Sequence, residues 1–278
     1  MKTVKRVITL LTLILFSTLV FAQKKQKIKG DKAVVTTTHV IERGFNAIEI
    51  DDALEVTLKQ SDINSYVLTT DKNLQSIIQF TVNDSVLKIY TTNKITSSKK
   101  LEINLSFVNL EHITLKNDAR IKGEGRFESN VMYINAYNSS KFDLDVNAEE
   151  IIVSMQRNTG GKLKTRATNM TIVMTDRTDL DASVVAEKTT VTLTKSAQLD
   201  LSGDSNMVAF NLKDTSELDA RKMKASSADL YTSNKTDVYV YASKNLELYA
   251  QGNSNIYVYG DPKIEIKGLT DKSKIIKK

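Results

Sequence analysis

Three aspartates, Asp181, Asp200 and Asp219, recur at intervals of nineteen residues. Asp179, Glu217 and Asp237 stand two positions before Asp181, Asp219 and Tyr239, members of the same row. If the chain brings such a row into register, the carboxylates lie about 5 Å apart, and their repulsion has to be relieved by solvent or by a cation. Three kinds of chemistry then compete. A charge row is ordinarily a solvated acidic face. It could instead be a weak calcium site, since Ca2+ takes oxygen ligands from carboxylates. The third possibility is a hydrolytic pair, which needs two acids roughly 5 to 10 Å apart around a bound sugar. The even spacing speaks against the last, because no long insertion is available to wall a cleft around these acids.

A second chemistry-bearing group is aromatic. Six of the ten tyrosines, Tyr231, Tyr239, Tyr241, Tyr249, Tyr257 and Tyr259, fall within 29 consecutive residues. The spacing pairs Tyr231 with Tyr249, Tyr239 with Tyr257 and Tyr241 with Tyr259, all on the outward side of their strands. A phenol ring combines a flat apolar face with a polar tip, which suits contact with a glycan or a cell-surface protein. The competing role is cross-strand packing that protects the last turns of the fold.

Other chemistry is thin. His39 and His112 have no second histidine at ligand spacing, and there are no cysteines and no tryptophans. Neither a Gly-x-Ser-x-Gly elbow nor a phosphate-binding glycine loop occurs, so no catalytic residue is assigned. The expectation is a non-enzyme without a cofactor, weak calcium binding aside. The alternative, by analogy of fold alone, is a polysaccharide hydrolase or lyase using the outward aspartates.

What would position these groups is a repeat, and the search for one precedes every other structural question. The frame is apolar-x-apolar, three residues, a small residue, one residue, apolar-x-apolar. It fits segments starting at Ile113, Ile134, Val153, Ile172, Val191, Phe210, Leu230 and Leu248. The small position holds Ala119, Ser140, Thr159, Thr178, Ala197, Ser216, Thr236 and Ser254. Gly123, Gly161 and Thr232 strain the frame at nominally apolar places. Period two sustained through every copy is strand alternation and excludes helices. Such a coil cannot bury its inner residues alone, whereas stacked coils can. The spacing therefore predicts an all-β, single-stranded parallel β-helix (a β-solenoid) of about 19 residues per coil, forming a rod of roughly 34 Å at 4.8 Å per coil. A sandwich or barrel also alternates, but would lack both the even spacing and the fixed small column.

The N-terminal third is strand-like and less regular, and reads as loosely patterned coils that begin or cap the rod. "VNDSVL" looks like a hairpin with Asn83-Asp84 at its tip. "DKNLQSIIQF" reads as a short helix or an irregular crossing.

The ends carry the address. Residues 1–22 read as a secretory signal peptide: Lys2, Lys5 and Arg6, an apolar run from Val7, and a small-residue cleavage site at Ala22. That run is short of the roughly 20 residues needed to span a bilayer, and no later segment could cross as a helix. The expected location is the periplasm or cell surface, reached by the Sec route. The formal charge is +6, half of it in the signal; the rest gathers in "KKQKIKGDK" and "KGLTDKSKIIKK", which argues against nucleic acid as a partner. The boundaries read as a basic leader with a first strand over 23–43, the β-helical domain over 44–264 and a basic tail over 265–278.

Four stretches in order carry a resemblance: "GFNAIEIDDALEVTLKQ", "VNDSVLKIY", "LEINLSFVNLEHITLKNDARIKGEG" and "LELYAQGNSNIYVYGDPKI". Together they resemble the exported bacterial proteins called putative autotransporter adhesins with a head GIN domain. The resemblance implies a right-handed β-helical fold and an envelope or surface location, and it carries over no catalytic residue. The chain has fewer glycines at turn positions than such proteins often have.

Overall fold

The computed structural model describes residues 25–278; the signal segment read at 1–22 lies outside the described residues. From residue 110 onward, alternation decides the architecture. Ile113, Ile134, Val153, Ile172, Val191, Phe210, Leu230 and Leu248 pair one above another in parallel register and are all buried. Burying these residues removes their apolar surface from water, and each coil supplies the lid for the one before it. The result is the parallel β-solenoid expected, with successive coils about 19 residues apart.

Within the 19-residue coils the inward residues change parity once, which marks a bend. Leu163 and Thr165 point inward at odd numbers, then Met170, Ile172 and Met174 at even numbers. One coil later Leu180, Ala182 and Val184 precede Thr189, Val191 and Leu193. Backbone pairing runs on through this bend, so Gly160–Thr175 and the three long segments that follow are continuous strands. Gly203 lies at such a bend with φ +114, where an added Cβ would run into the Val184 carbonyl of the coil below. Only glycine accepts that backbone and that approach.

The other corner is built from the small column and a left-handed residue. Ala119, Ser140, Thr159, Thr178, Ala197, Ser216, Thr236 and Ser254 are all buried. Just before them, Asn117, Asn138, Asn158, Asp176, Lys195, Asp214 and Asn234 have positive φ, a region that Asn and Asp tolerate better than other side-chain-bearing residues. Their side chains also bond along the rod. Asn117 Nδ2 donates to Asp51, Asn138 Nδ2 to Asn117, and Asn234 Nδ2 to Asp214.

The strained frame positions are filled by their neighbours. Phe142 swings its ring into the space beside Gly161, where a Cβ would lie only 2.5 Å from the ring. Gly123 makes room in the same way between Phe127 and Leu144.

The N-terminal region departs from the expected coils. Ala47–Ile50 and Glu55–Gln60 do form a coil directly under His112–Leu115 and Arg120–Glu128. The strands Val86–Thr91 and Leu101–Phe107 then pair beneath that coil, in parallel. Beyond them the direction reverses. Ser65–Asp71 is antiparallel to both Leu101–Phe107 and Val34–Val40, and Ile78–Asn83 is antiparallel to Val86–Thr91. This end is thus an antiparallel cap, because tight hairpins allow no long parallel return. The hairpin tip is Asp84-Ser85, both at positive φ, and not Asn83-Asp84. Two consecutive positive φ values match a primed turn. The ambiguous segment after Asp71 resolves into a 3-10 turn, Lys72–Leu74, before the Ile78 strand.

Asp71 holds the cap together. It is fully buried, and its carboxylate accepts the backbone N–H groups of Lys32 at 3.2 Å and Lys99 at 3.1 Å. At the opposite end the residues expected as a basic tail extend the rod. Lys263–Leu269 and Lys274–Lys277 pair in parallel on Asn245–Ala250 and Asn255–Tyr259.

Candidate functional site

The alternation that buries one side of each strand sends the next residue outward, so the outward columns are in register too. Lys122, Asp143, Lys162, Asp181, Asp200, Asp219, Tyr239 and Tyr257 pair in a single file. Its lower part alternates in sign, and three like charges follow. Burial together with Asp219, Asp179 and Asp181 pushes the Asp200 carboxyl above its ordinary range. Burial also acts to raise Asp219, but Arg221 outweighs it and holds Asp219 below the usual range. The guanidinium reaches both carboxylate oxygens, Nε to Oδ1 at 2.8 Å and Nη2 to Oδ2 at 2.7 Å. This is a two-point Arg–carboxylate clamp that occupies the upper end of the acidic row. Among the described residues, no group of three or more His, Cys, Asp and Glu side chains is placed to hold a metal ion.

The six tyrosines divide between two strands of the coil. Tyr239 stacks on Tyr257 at 4.7 Å between ring centres, with Tyr241 and Tyr259 beside them in register. Cations bracket this pair: Arg221 lies 4.5 Å from the Tyr239 ring and Lys278 lies 5.4 Å from that of Tyr257. Each ring face there has a partner within the chain, by stacking or by cation–π contact.

Tyr231 and Tyr249 stack at 5.2 Å on the other strand segment. Gln251 ties them together, accepting from the Tyr249 hydroxyl and donating to that of Tyr231. The column changes height at this point. Thr192 and Asn211 pair below Tyr231, and Thr190 and Ala209 pair below Asp229. A tall ring thus stands over a floor of short side chains and forms the wall of an open groove of about 410 Å³. Asp229, Glu247 and Lys267 bring charge to the lining. Tyr231 is 38% exposed, and Lys213 lies 6.0 Å from its ring centre.

The structure therefore brings Asp181, Asp200 and Asp219 into one file and Tyr239, Tyr241, Tyr257 and Tyr259 into one patch. Tyr231 and Tyr249 stand apart and own the groove. Sequence reasoning passed over the groove floor and Gln251. The signal for the floor lies in the aligned repeats, where Asn211 gives way to Tyr231. The two histidines are aromatic neighbours: His39 stacks on Tyr66 and His112 on Tyr133. A further groove of about 460 Å³ lies at the bend, lined by Arg166, Glu187, Asp204, Lys224 and Tyr241 among others.

A family profile described as "Putative auto-transporter adhesin, head GIN domain" matches residues 44–183 and 157–262. The fold is shared with solved structures of low sequence identity. A putative adhesin from Parabacteroides merdae superposes with a TM-score of 0.68 at 16% identity, covering 91% of this chain and 99% of the other. A putative adhesin from Parabacteroides distasonis gives 0.67 at 16% identity over 91% and 100%. A putative lipid binding protein from the same species gives 0.62 at 19% identity over 91% and 99%. None of the curated proteins matches the chain.

Proposed function

This chain belongs to the putative auto-transporter adhesin, head GIN domain family, and on that premise we propose that it is an exported, non-catalytic binding protein of the bacterial envelope. Its ligand is a glycan or a glycan-bearing surface protein held on the tyrosine-rich last coils. The observation that carries this reading is the groove beneath Tyr231: an aromatic wall, a floor with two threonines and an asparagine, and carboxylates at its edge. A sugar ring presents an apolar face to an aromatic side chain and hydroxyls to polar ones, and that combination is what the groove offers. Delivery rests on residues 1–22 acting as a Sec signal, cut after Ala22, so the exported chain begins at Gln23.

The test is a glycan array combined with whole-cell binding of the exported chain. Tyr231→Ala lowers affinity by about tenfold, the size expected when one aromatic contact is lost. Quadruple alanine replacement of Tyr239, Tyr241, Tyr257 and Tyr259 separates the other patch. Unchanged binding in both variants, with the fold intact by circular dichroism, would refute the reading.

One observation favours a second reading, a polysaccharide hydrolase on the acidic row. Asp200 is pushed up while its neighbour Asp219 is held down, and divergent carboxyls are the mark of an acid and its partner. Arg221 weighs against it, because a carboxylate clamped at both oxygens is a poor nucleophile. Release of reducing ends by the wild type, abolished in Asp200→Asn, would establish hydrolysis.

A further inference from the structure

The strand Val34–Val40 is the last strand of a sheet that continues down the whole rod, and its hydrogen bonds show which of its backbone groups are free. Its register with Ser65–Asp71 pairs Val34 with Asp71 and Val40 with Ser65. The Lys72 N–H donates to the Ala33 carbonyl, and the Ile41 N–H donates to the Asn64 carbonyl. In an antiparallel ladder the bonded residues alternate, so odd-numbered residues of this strand face Ser65–Asp71. The N–H and C=O groups of Val34, Thr36, Thr38 and Val40 therefore point to the outer edge. Among the described residues no strand pairs with that edge.

An open edge of this kind invites another strand, and proteins usually guard it with charge, proline or a bulge. This one has no such guard. "VVTTTHV" holds no lysine, no acid and no proline, and Val40 is 66% exposed. The edges at the far end of the rod are guarded: Lys263 and Lys267 lie on one, Lys274 and Lys277 on the other. The neighbouring N-terminal edge, Ile78–Asn83, is partly covered, since Arg43 donates to the Val82 carbonyl.

We propose that the outer edge of Val34–Val40 pairs antiparallel with the same strand of a second copy, joining two rods cap to cap across a twofold axis at Thr37. The free groups fit this register. Centring on Thr37 sets Thr36 opposite Thr38 and Val34 opposite Val40, so every residue with outward groups meets another, and each such pair exchanges two hydrogen bonds. The flanks fit as well. The same register brings Asp31 and Lys32 of one copy toward Arg43 and Glu42 of the other, opposite charges at both ends of the paired strands. Uncharged edges meet without repulsion, and the arrangement is closed, so it stops at a dimer. This inference does not depend on what the tyrosine groove binds.

Two measurements on the exported chain, residues 23–278, test it. Sedimentation equilibrium gives a reversible dimer. Thr38→Lys places a charge on the edge and Thr38→Pro removes an outward N–H, and neither touches the ladder to Ser65–Asp71. Each raises the dissociation constant by about tenfold or more, with circular dichroism unchanged. If the proline variant fails to fold, the lysine variant alone decides. The second measurement uses the absence of cysteine. At the twofold centre the two Thr37 Cα atoms come within disulfide range, about 4.5 Å apart in a non-bonded pair. Thr37→Cys then forms a covalent dimer on mild oxidation, whereas Asp261→Cys at the far end does not. A wild type that stays monomeric at every concentration, or a dimer indifferent to Thr38→Lys, overturns the proposal.

Discussion

The two ends of this rod solve one problem in different ways. Both must finish a parallel stack whose last coil has no neighbour. At the C-terminal end the stack simply continues into Lys263–Leu269 and Lys274–Lys277, and lysines keep other strands away while Ile266 stays 52% exposed. At the N-terminal end the chain reverses, lays antiparallel strands beneath Val86–Thr91 and Leu101–Phe107 and ties the cap down with the buried carboxylate of Asp71. The contrast teaches where stability resides. In the repeat it is spread over many similar neighbour contacts, whereas the cap depends on a few groups that occur once.

The largest expected effect breaks the repeat. Phe210→Ala removes a buried ring from the inner column and lowers stability by about 3 to 5 kcal/mol, read from the shift of the urea midpoint. Because its coil carries load from both sides, exchange protection falls on the coils above and below. Asp71→Ala comes next, at about 2 kcal/mol, since two backbone N–H groups lose the charged acceptor that ties the cap together. Here hydrogen exchange separates the two regions: protection is lost over residues 25–107 and kept beyond residue 130. Equal loss along the whole chain would show that cap and rod are not distinct.

A third substitution sharpens the comparison from the other side. The Thr178 hydroxyl is buried in the small column with no hydrogen-bond partner. Thr178→Val keeps the shape, removes the unsatisfied group and raises stability by about 1 kcal/mol. A loss would mean that the hydroxyl is bonded in solution.

The smallest effects concern pH. Asp200 has a raised carboxyl, so its contribution is present at acid pH and is lost as pH climbs through the raised value. Asp219 is depressed, so its contribution is present above the ordinary carboxylate range and lost as pH falls through the depressed value. Asp200→Asn therefore stabilises at neutral pH and not in acid, while Asp219→Asn destabilises at neutral pH. Both changes are small, at most about 0.5 kcal/mol at such exposed positions. Thermal melts between pH 3 and pH 7 check the opposite signs.

The regular part was legible from residues 113 to 258 because each coil presents the same problem to its neighbours. Ile113 through Leu248 declare one inner column, and Asp181, Asp200 and Asp219 declare an outer one. The cap was not legible in that way. Its partners, such as Leu68 with Ile103, are set by chain reversals that no period announces. The corner ladder of Asn117, Asn138 and Asn234 was written in the repeat frame but hidden in the three residues treated as spacer. The tyrosines were visible as pairs, yet their division between two strand segments follows from the coil's bends. So does the exposed face of Tyr231, which depends on the shortness of Asn211 and Thr192 beneath it.

The central claim is that the coils stack in register from one end to the other. Lys141 and Lys274 occupy the same outward column through Gly160, Asp179, Gln198, Glu217, Asp237 and Asn255. With no cysteine in the chain, spin labels on Lys141→Cys and Lys274→Cys report that separation directly by double electron–electron resonance. Seven steps of coil spacing give a narrow distribution near 34 Å, at about 4.8 Å per step. A broad distribution, or one centred well below that distance, would contradict the stacked rod and everything placed upon it.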